Sequence, residues 1–95
     1  MDPQPVTYDP SSATIGLDLP DGGRYRIPTL DVATDRANYM ARQATGSGPA
    51  PGNDLYDNVV EQETDFALNR PDILQDWVRT HMRRADLQRY RVDAS

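Results

Sequence analysis

The sequence predicts an α+β domain: one antiparallel β-hairpin packed against about three short helices, with an extended N-terminal arm. Three observations predict it. Residues 14–28 alternate apolar and polar side chains around a P-D-G-G turn, the period-two pattern of a half-buried hairpin. Residues 29–44 and 54–68 repeat their apolar positions at helical spacing instead. The stretch from Asn69 to Leu87 holds the only Trp, the only His and the densest helical stripe in the chain.

Size and charge narrow the classes. Ninety-five residues make one small domain with a limited core. Fifteen acids against ten basic residues, for a formal charge of −5, argue against direct nucleic-acid binding. Every basic residue is Arg. With no Cys there is neither a disulfide framework nor thiol chemistry. No apolar run reaches the length of a membrane span and no signal-peptide core follows Met1, so no membrane contact is expected. The expected place of synthesis is the cytoplasm.

Residues 1–13, M-D-P-Q-P-V-T-Y-D-P-S-S-A, form the expected arm. Its prolines forbid a helix and discourage a strand. Val6 and Tyr8 are its only anchors, suited to lie along a partner. Residues 14–95 form the expected domain. In the hairpin, Pro20 presets the turn and Gly22 supplies its left-handed residue. Pairing Leu19 with Gly23 sets Asp18 opposite Arg24, Leu17 opposite Tyr25 and Ile15 opposite Ile27. The apolar face is then Ile15, Leu17, Leu19, Tyr25 and Ile27; Gly16, Asp18, Arg24 and Arg26 make the outer face. The outer edges are expected to stay open to a further strand.

The first helix starts at Thr29 or Asp31 and turns Leu30, Ala33, Ala37, Met40 or Ala41, and Ala44 inward. Arg36 and Tyr39 fall off that stripe, as a polar contact surface. Residues 45–53, T-G-S-G-P-A-P-G-N, read as a flexible linker; without a following Lys they are no phosphate loop. The second helix, capped by Asn53 or Asp54, has Leu55, Tyr56, Val59, Val60, Phe66 and Ala67 on its apolar face. Asp54, Asp57, Glu61 and Asp65 line the other. Glu63 breaks the apolar face and is expected to snorkel to water or to pair with an arginine such as Arg70 or Arg36.

In the third helix Ile73, Leu74, Trp77, Val78, His81 and Met82 form one stripe. Asn69 reads as its N-cap, with Asp72 reaching back and Pro71 in the first turn. Trp77, Leu74, Phe66, Val59 and Ile27 are the expected core. His81 has no second His or Cys to share a metal, and reads as a packed or half-exposed side chain. Leu87, Tyr90 and Val92 dock weakly after it.

The order G-x-Y-R-I-P, D-R-A-x-Y-x-A and L-x-D-W-x-x-x-x-M-x-x-x-D-L resembles a group of small uncharacterised proteins of tailed bacteriophages. The matching stretches are Gly23 to Pro28, Asp35 to Ala41 and Ile73 to Leu87. His81 and Arg83 stand where that group usually has asparagines, and Arg84 replaces a second Trp. The resemblance implies a phage or prophage origin and no reaction.

The expected function is therefore non-enzymatic binding of another protein. The leading form is a virion-associated component, such as a capsid auxiliary (cement) protein or a connector. The alternative is a regulator that binds a host protein, with the acidic helix as a nucleic-acid mimic. A second copy of the chain is a further expected partner. The contact residues predicted are Val6, Tyr8, Arg24, Arg26, Arg36 and Tyr39. No catalytic, cofactor or metal residue is predicted: the carboxylate row lacks a pocket, and no triad or paired-acid arrangement can be drawn. A Trp77 lining an open polar cleft beside His81 and several acids would argue the other way.

Overall fold

The computed structural model describes residues 6–19, 22–46 and 52–92, with only the backbone of Arg84. The described residues form an α+β fold. Strands β1 (Thr7–Asp9), β2 (Thr14–Asp18) and β3 (Arg24–Pro28) make one antiparallel sheet in the order β1-β2-β3. Helices α1 (Thr29–Thr45), α2 (Asp54–Leu68), α3 (Pro71–Thr80) and α4 (Arg84–Leu87) follow, and a 3-10 turn spans Gln88–Tyr90.

The β2–β3 register is the one the turn imposes: Leu17 faces Tyr25, Ile15 faces Ile27 and Asp18 faces Arg24. Leu19 donates to Gly23 O at 2.9 Å and Gly22, at φ +85°, donates to Leu19 O at 3.0 Å. Only glycine holds such a φ at little cost, so Gly22 turns the chain. Pro20 and Asp21 of the expected turn lie outside the described residues. Ile15, Leu17, Tyr25 and Ile27 are buried, as alternation requires.

Residues 1–5 of the expected arm lie outside the described residues, and the rest of it is not free. Its residues Thr7–Asp9 pair with β2, Tyr8 opposite Ile15, and widen the hairpin into a three-stranded sheet. Val6, expected to touch a partner, is 8% exposed and joins the core; Tyr8 packs half-buried against it. Two local features fold this segment back. The Asp9 carboxylate accepts from Ser11 N–H at 3.0 Å, Ser11 Oγ at 2.7 Å and Ser12 Oγ at 2.9 Å, which ties a turn around Pro10. These bonds, the Ser11 hydroxyl foremost, hold the Asp9 carboxyl below its ordinary value. Gly16 then lets β1 approach closely, since a Cβ there would lie 2.9 Å from Thr7 Oγ1. The edges of the hairpin are thus not left open. β1 covers β2, and the C-terminal segment meets β3 through a Tyr25–Arg91 bridge and a 2.9 Å bond from Val92 N–H to Arg24 O.

In α1 the buried stripe is Thr29, Val32, Ala33, Ala37 and Ala41. Leu30 is 55% exposed and Ala44 is exposed, against expectation. Helix α2 is the neighbour α1 touches most, and small side chains let helices close up. Leu30 and Ala44 stand seven residues either side of Ala37, on the same face, so their place at the ends of the stripe and not a rotation leaves them exposed. No side chain caps α1; Pro28 precedes its first turn. Helix α2 is capped as expected, Asn53 Oδ1 accepting from Leu55 N–H at 3.0 Å and Tyr56 N–H at 3.3 Å. It buries Tyr56 and Ala67, while Val59 and Val60 are half-buried. Phe66 is not core: it is 47% exposed. Ala67 packs inward, and neighbours on a helix point about 100° apart. Leu55, at 56% exposed, also leaves the predicted apolar face.

The Trp-bearing helix is shorter than predicted. Asn69 ends α2, its Nδ2 donating to Asp65 O at 2.9 Å, and does not start α3. Pro71 opens α3, and Asp72 binds the Arg70 side chain instead of a cap. The helix stops at His81 and resumes as α4, which lets Leu87 turn back into the core at 3% exposed. Leu74, Trp77 and Val78 are buried with the sheet face and Val32. Among the described residues no helix is long and apolar enough to cross a membrane.

Candidate functional site

The predicted contact residues divide between two surfaces. Arg24 and Arg26 project from the outer sheet face, as the period of β3 demands. Arg24 pairs with Asp18 at 3.2 Å; Arg26 lies 3.7 Å from Asp9 and donates to Thr14 Oγ1 at 3.1 Å. With Thr7, Gly16 and Asp18 they border a shallow hollow, but acids and arginines balance there. Exposed pairs of this kind contribute little.

Arg36 and Tyr39 lie on the other side, on α1, where it meets α3. Arg36 is anchored: its guanidinium donates to Glu63 at 2.9 Å, with only 13% of the side chain exposed. Glu63, out of place in a helical wheel, is therefore the acid that tethers α2 to α1, by one of the pairings the sequence allowed. Tyr39 is 41% exposed and meets the Trp77 ring edge-on, with centroids 5.4 Å apart.

Trp77 organises what surrounds it. Its indole N–H donates to Asp35 Oδ2 at 2.8 Å, which fixes the ring against α1. His81, one turn later, stacks on it with centroids 3.9 Å apart and planes 12° from parallel. The stack leaves Trp77 only 5% exposed, although it stands at the surface end of the core. Tyr39 closes the cluster, 5.6 Å from the His81 ring.

Beside this cluster is an open hollow of about 370 Å³, lined by Arg36, Met40, Asp72, Ile73, Asp76, Trp77 and His81. Phe66 continues the surface: Arg36 and Arg70 lie over its ring at 5.7 and 5.8 Å, in cation–π range. The hydrogen bond from Arg70 holds the Asp72 carboxyl below its ordinary value. The Asp76 carboxylate forms no hydrogen bond or ion pair among the described residues. Sequence reasoning placed Arg36 and Tyr39 here but missed Phe66, Arg70, Asp76 and His81 as their neighbours. One signal was available, the i, i+4 spacing of Trp77 and His81, which stacks rings on one helix face.

Trp77 thus borders an open hollow with His81 and two acids, part of the condition that would argue for chemistry. The arrangement stops short of a dyad. His81 makes no hydrogen bond to Asp72 or Asp76 among the described residues. No group of three or more His, Asp or Glu converges on one point among the described residues.

A second hollow lies between α1 and the C-terminal turns, lined by Asp31, Asp35, Met82, Asp86 and Arg89 among others. Nearby, the Tyr90 hydroxyl is buried without a formed hydrogen bond. Burial pushes its pKa up, the Asp31 carboxylate adds to the rise, and Arg89 opposes it. The acidic row of α2, Asp54, Asp57, Glu61 and Asp65, is fully on the outside, with no ion pair among the described residues. Compared with protein-family models, curated proteins and solved structures, the chain matches none.

Proposed function

We propose that this chain is a non-enzymatic protein-binding protein whose contact surface is the α1–α3 face. The observation that carries the reading is the aromatic and arginine strip Tyr39, His81, Arg36, Phe66 and Arg70. Aromatic residues and Arg dominate binding hot spots. Here they surround a hollow, and several are pre-positioned: Arg36 by Glu63, Arg70 by Asp72, His81 by Trp77. Side chains already held lose less freedom on binding. The outer sheet face has no such strip.

The setting we propose is a tailed-phage particle, with the chain as an auxiliary capsid or connector component. The G-x-Y-R-I-P, D-R-A-x-Y-x-A and L-x-D-W resemblance supports it. Mass spectrometry of purified particles, from phage carrying either the natural chain or Phe66→Ala with Tyr39→Ala, tests both parts. Many copies of the natural chain and loss of the variant from particles support the reading. Absence of the natural chain overturns the particle setting; undiminished incorporation of the variant overturns the surface.

One observation favours a second reading, a regulator that binds a host protein. The α2 row presents four exposed carboxylates on one helix, and a phosphate mimic would need such a row. Binding through it would weaken steeply as salt rises.

A further inference from the structure

We infer that the hollow between α1 and α3 receives an arginine side chain presented by the partner protein. The inference rests on the α1–α3 contact surface proposed above and names the chemistry that surface selects.

Charge points to a cation. Asp72 and Asp76 line the hollow with Arg36; Arg36 is already bound to Glu63 and Asp72 to Arg70. The acid left over is Asp76, exposed on α3 and lining the opening. Asp35 holds the indole N–H, so Asp76 is the carboxylate available to a newcomer.

Shape and polarisability point to a guanidinium in particular. The walls combine half-buried Met40 and Ile73, which suit an aliphatic stem, with the stacked Trp77–His81 rings and exposed Tyr39 at the rim. A planar, weakly hydrated guanidinium stacks on rings and forks onto a carboxylate; a lysine ammonium keeps more of its water. The protein shows the same chemistry beside the hollow, where Arg36 and Arg70 lie over the Phe66 ring while each binds an acid. An anionic or purely apolar guest would leave Asp76 unpaired at the opening.

The test uses the full chain and capped peptides of sequence Gly-Gly-X-Gly-Gly, with X as Arg, Lys, norleucine or Glu. Two reporters sit in the hollow and each is unique in the sequence: the Trp77 indole N–H and the His81 ring, both followed by NMR. The Arg peptide shifts both signals saturably and binds tightest. Asp76→Asn weakens it about tenfold, in line with loss of a charge-assisted pair. Tyr39→Ala weakens it less, and the Glu peptide shifts neither signal. The indole N–H resonance held by Asp35 verifies that each variant remains folded. Equal binding of the Lys peptide overturns the guanidinium assignment. Equal binding of the norleucine peptide, no shift with any peptide, or indifference to Asp76→Asn overturns the cation site. Incorporation into particles is read separately, so failure here leaves the binding surface itself standing.

Discussion

The molecule holds itself together in two different ways. Under the sheet, large side chains fill a volume: Ile15, Tyr25, Ile27, Val32, Leu74 and Trp77 are all within 5% of full burial. The side of α1 toward α2 is different: Ala37 and Ala41 of α1 and Tyr56 of α2 are buried outside that cluster, and the α1 side chains there are small. Polar locks secure that seam: Tyr56 Oη donates to Asn38 Oδ1 at 2.8 Å, and Arg36 binds Glu63 at 2.9 Å. The contrast teaches where specificity comes from in a small domain. A volume of apolar side chains gives most of the stability but constrains alignment weakly. An alanine seam gives less, and the polar locks decide how the helices sit.

The comparison breaks or sharpens through four experiments. Trp77→Ala removes the largest core side chain and frees Asp35; it should cost about 3–5 kcal/mol in urea unfolding. A cost below that of any seam variant would reverse the ranking of the two regions. Ala37→Leu forces bulk into the closed seam and should cost about 1–3 kcal/mol, with the helices pushed apart. A neutral result would mean that the seam is loose.

Tyr56→Phe keeps the ring but strips Asn38 Oδ1 of the Tyr56 hydroxyl, for about 0.5–1.5 kcal/mol. If the lock aligns the helices, the variant should also broaden NMR signals along α1 and α2, and sharp signals would argue against that role. The smallest effect concerns pH. The Tyr90 phenol is pushed above its ordinary value, so its contribution is fully present below the unfolded tyrosine pKa and is lost as pH rises through the higher folded one. Tyr90→Phe should flatten the alkaline loss of stability near and above the ordinary tyrosine range. An unchanged alkaline limb would place the loss elsewhere.

These regions also differ in how far they could be read from residues alone. The hairpin register was legible because one short turn sets every pair beyond it. The Arg36–Glu63 lock was half legible: an acid on an apolar face had to reach water or a cation, and Arg36 was one of the arginines in reach. Phe66 was misread as inward because its neighbour Ala67 takes the inward position, and Leu30 because it lies on the inward face but at the end of α1. Around the contact surface, Arg36 and Tyr39 were placed as off-stripe residues, whereas Val6 proved to be core. The i, i+4 spacing of Trp77 and His81 hints at their stack, but nothing local announces that Phe66 will lie under two guanidiniums.

Local chemistry, then, is sufficient for the hairpin, the helix start at Asn53, and the inward turn of Leu74, Trp77 and Ile27. Each follows from forces acting within a few residues: a left-handed glycine, a capping amide, a repeat of apolar positions. The third strand, the break at His81 and the hollow needed the assembled molecule. Whether Val6 leaves water depends on a cavity built by residues far along the chain, and which helical face turns inward depends on what the neighbouring helix can accept. Interactions between distant segments carry no periodic mark in either segment, so only their meeting in space reveals them.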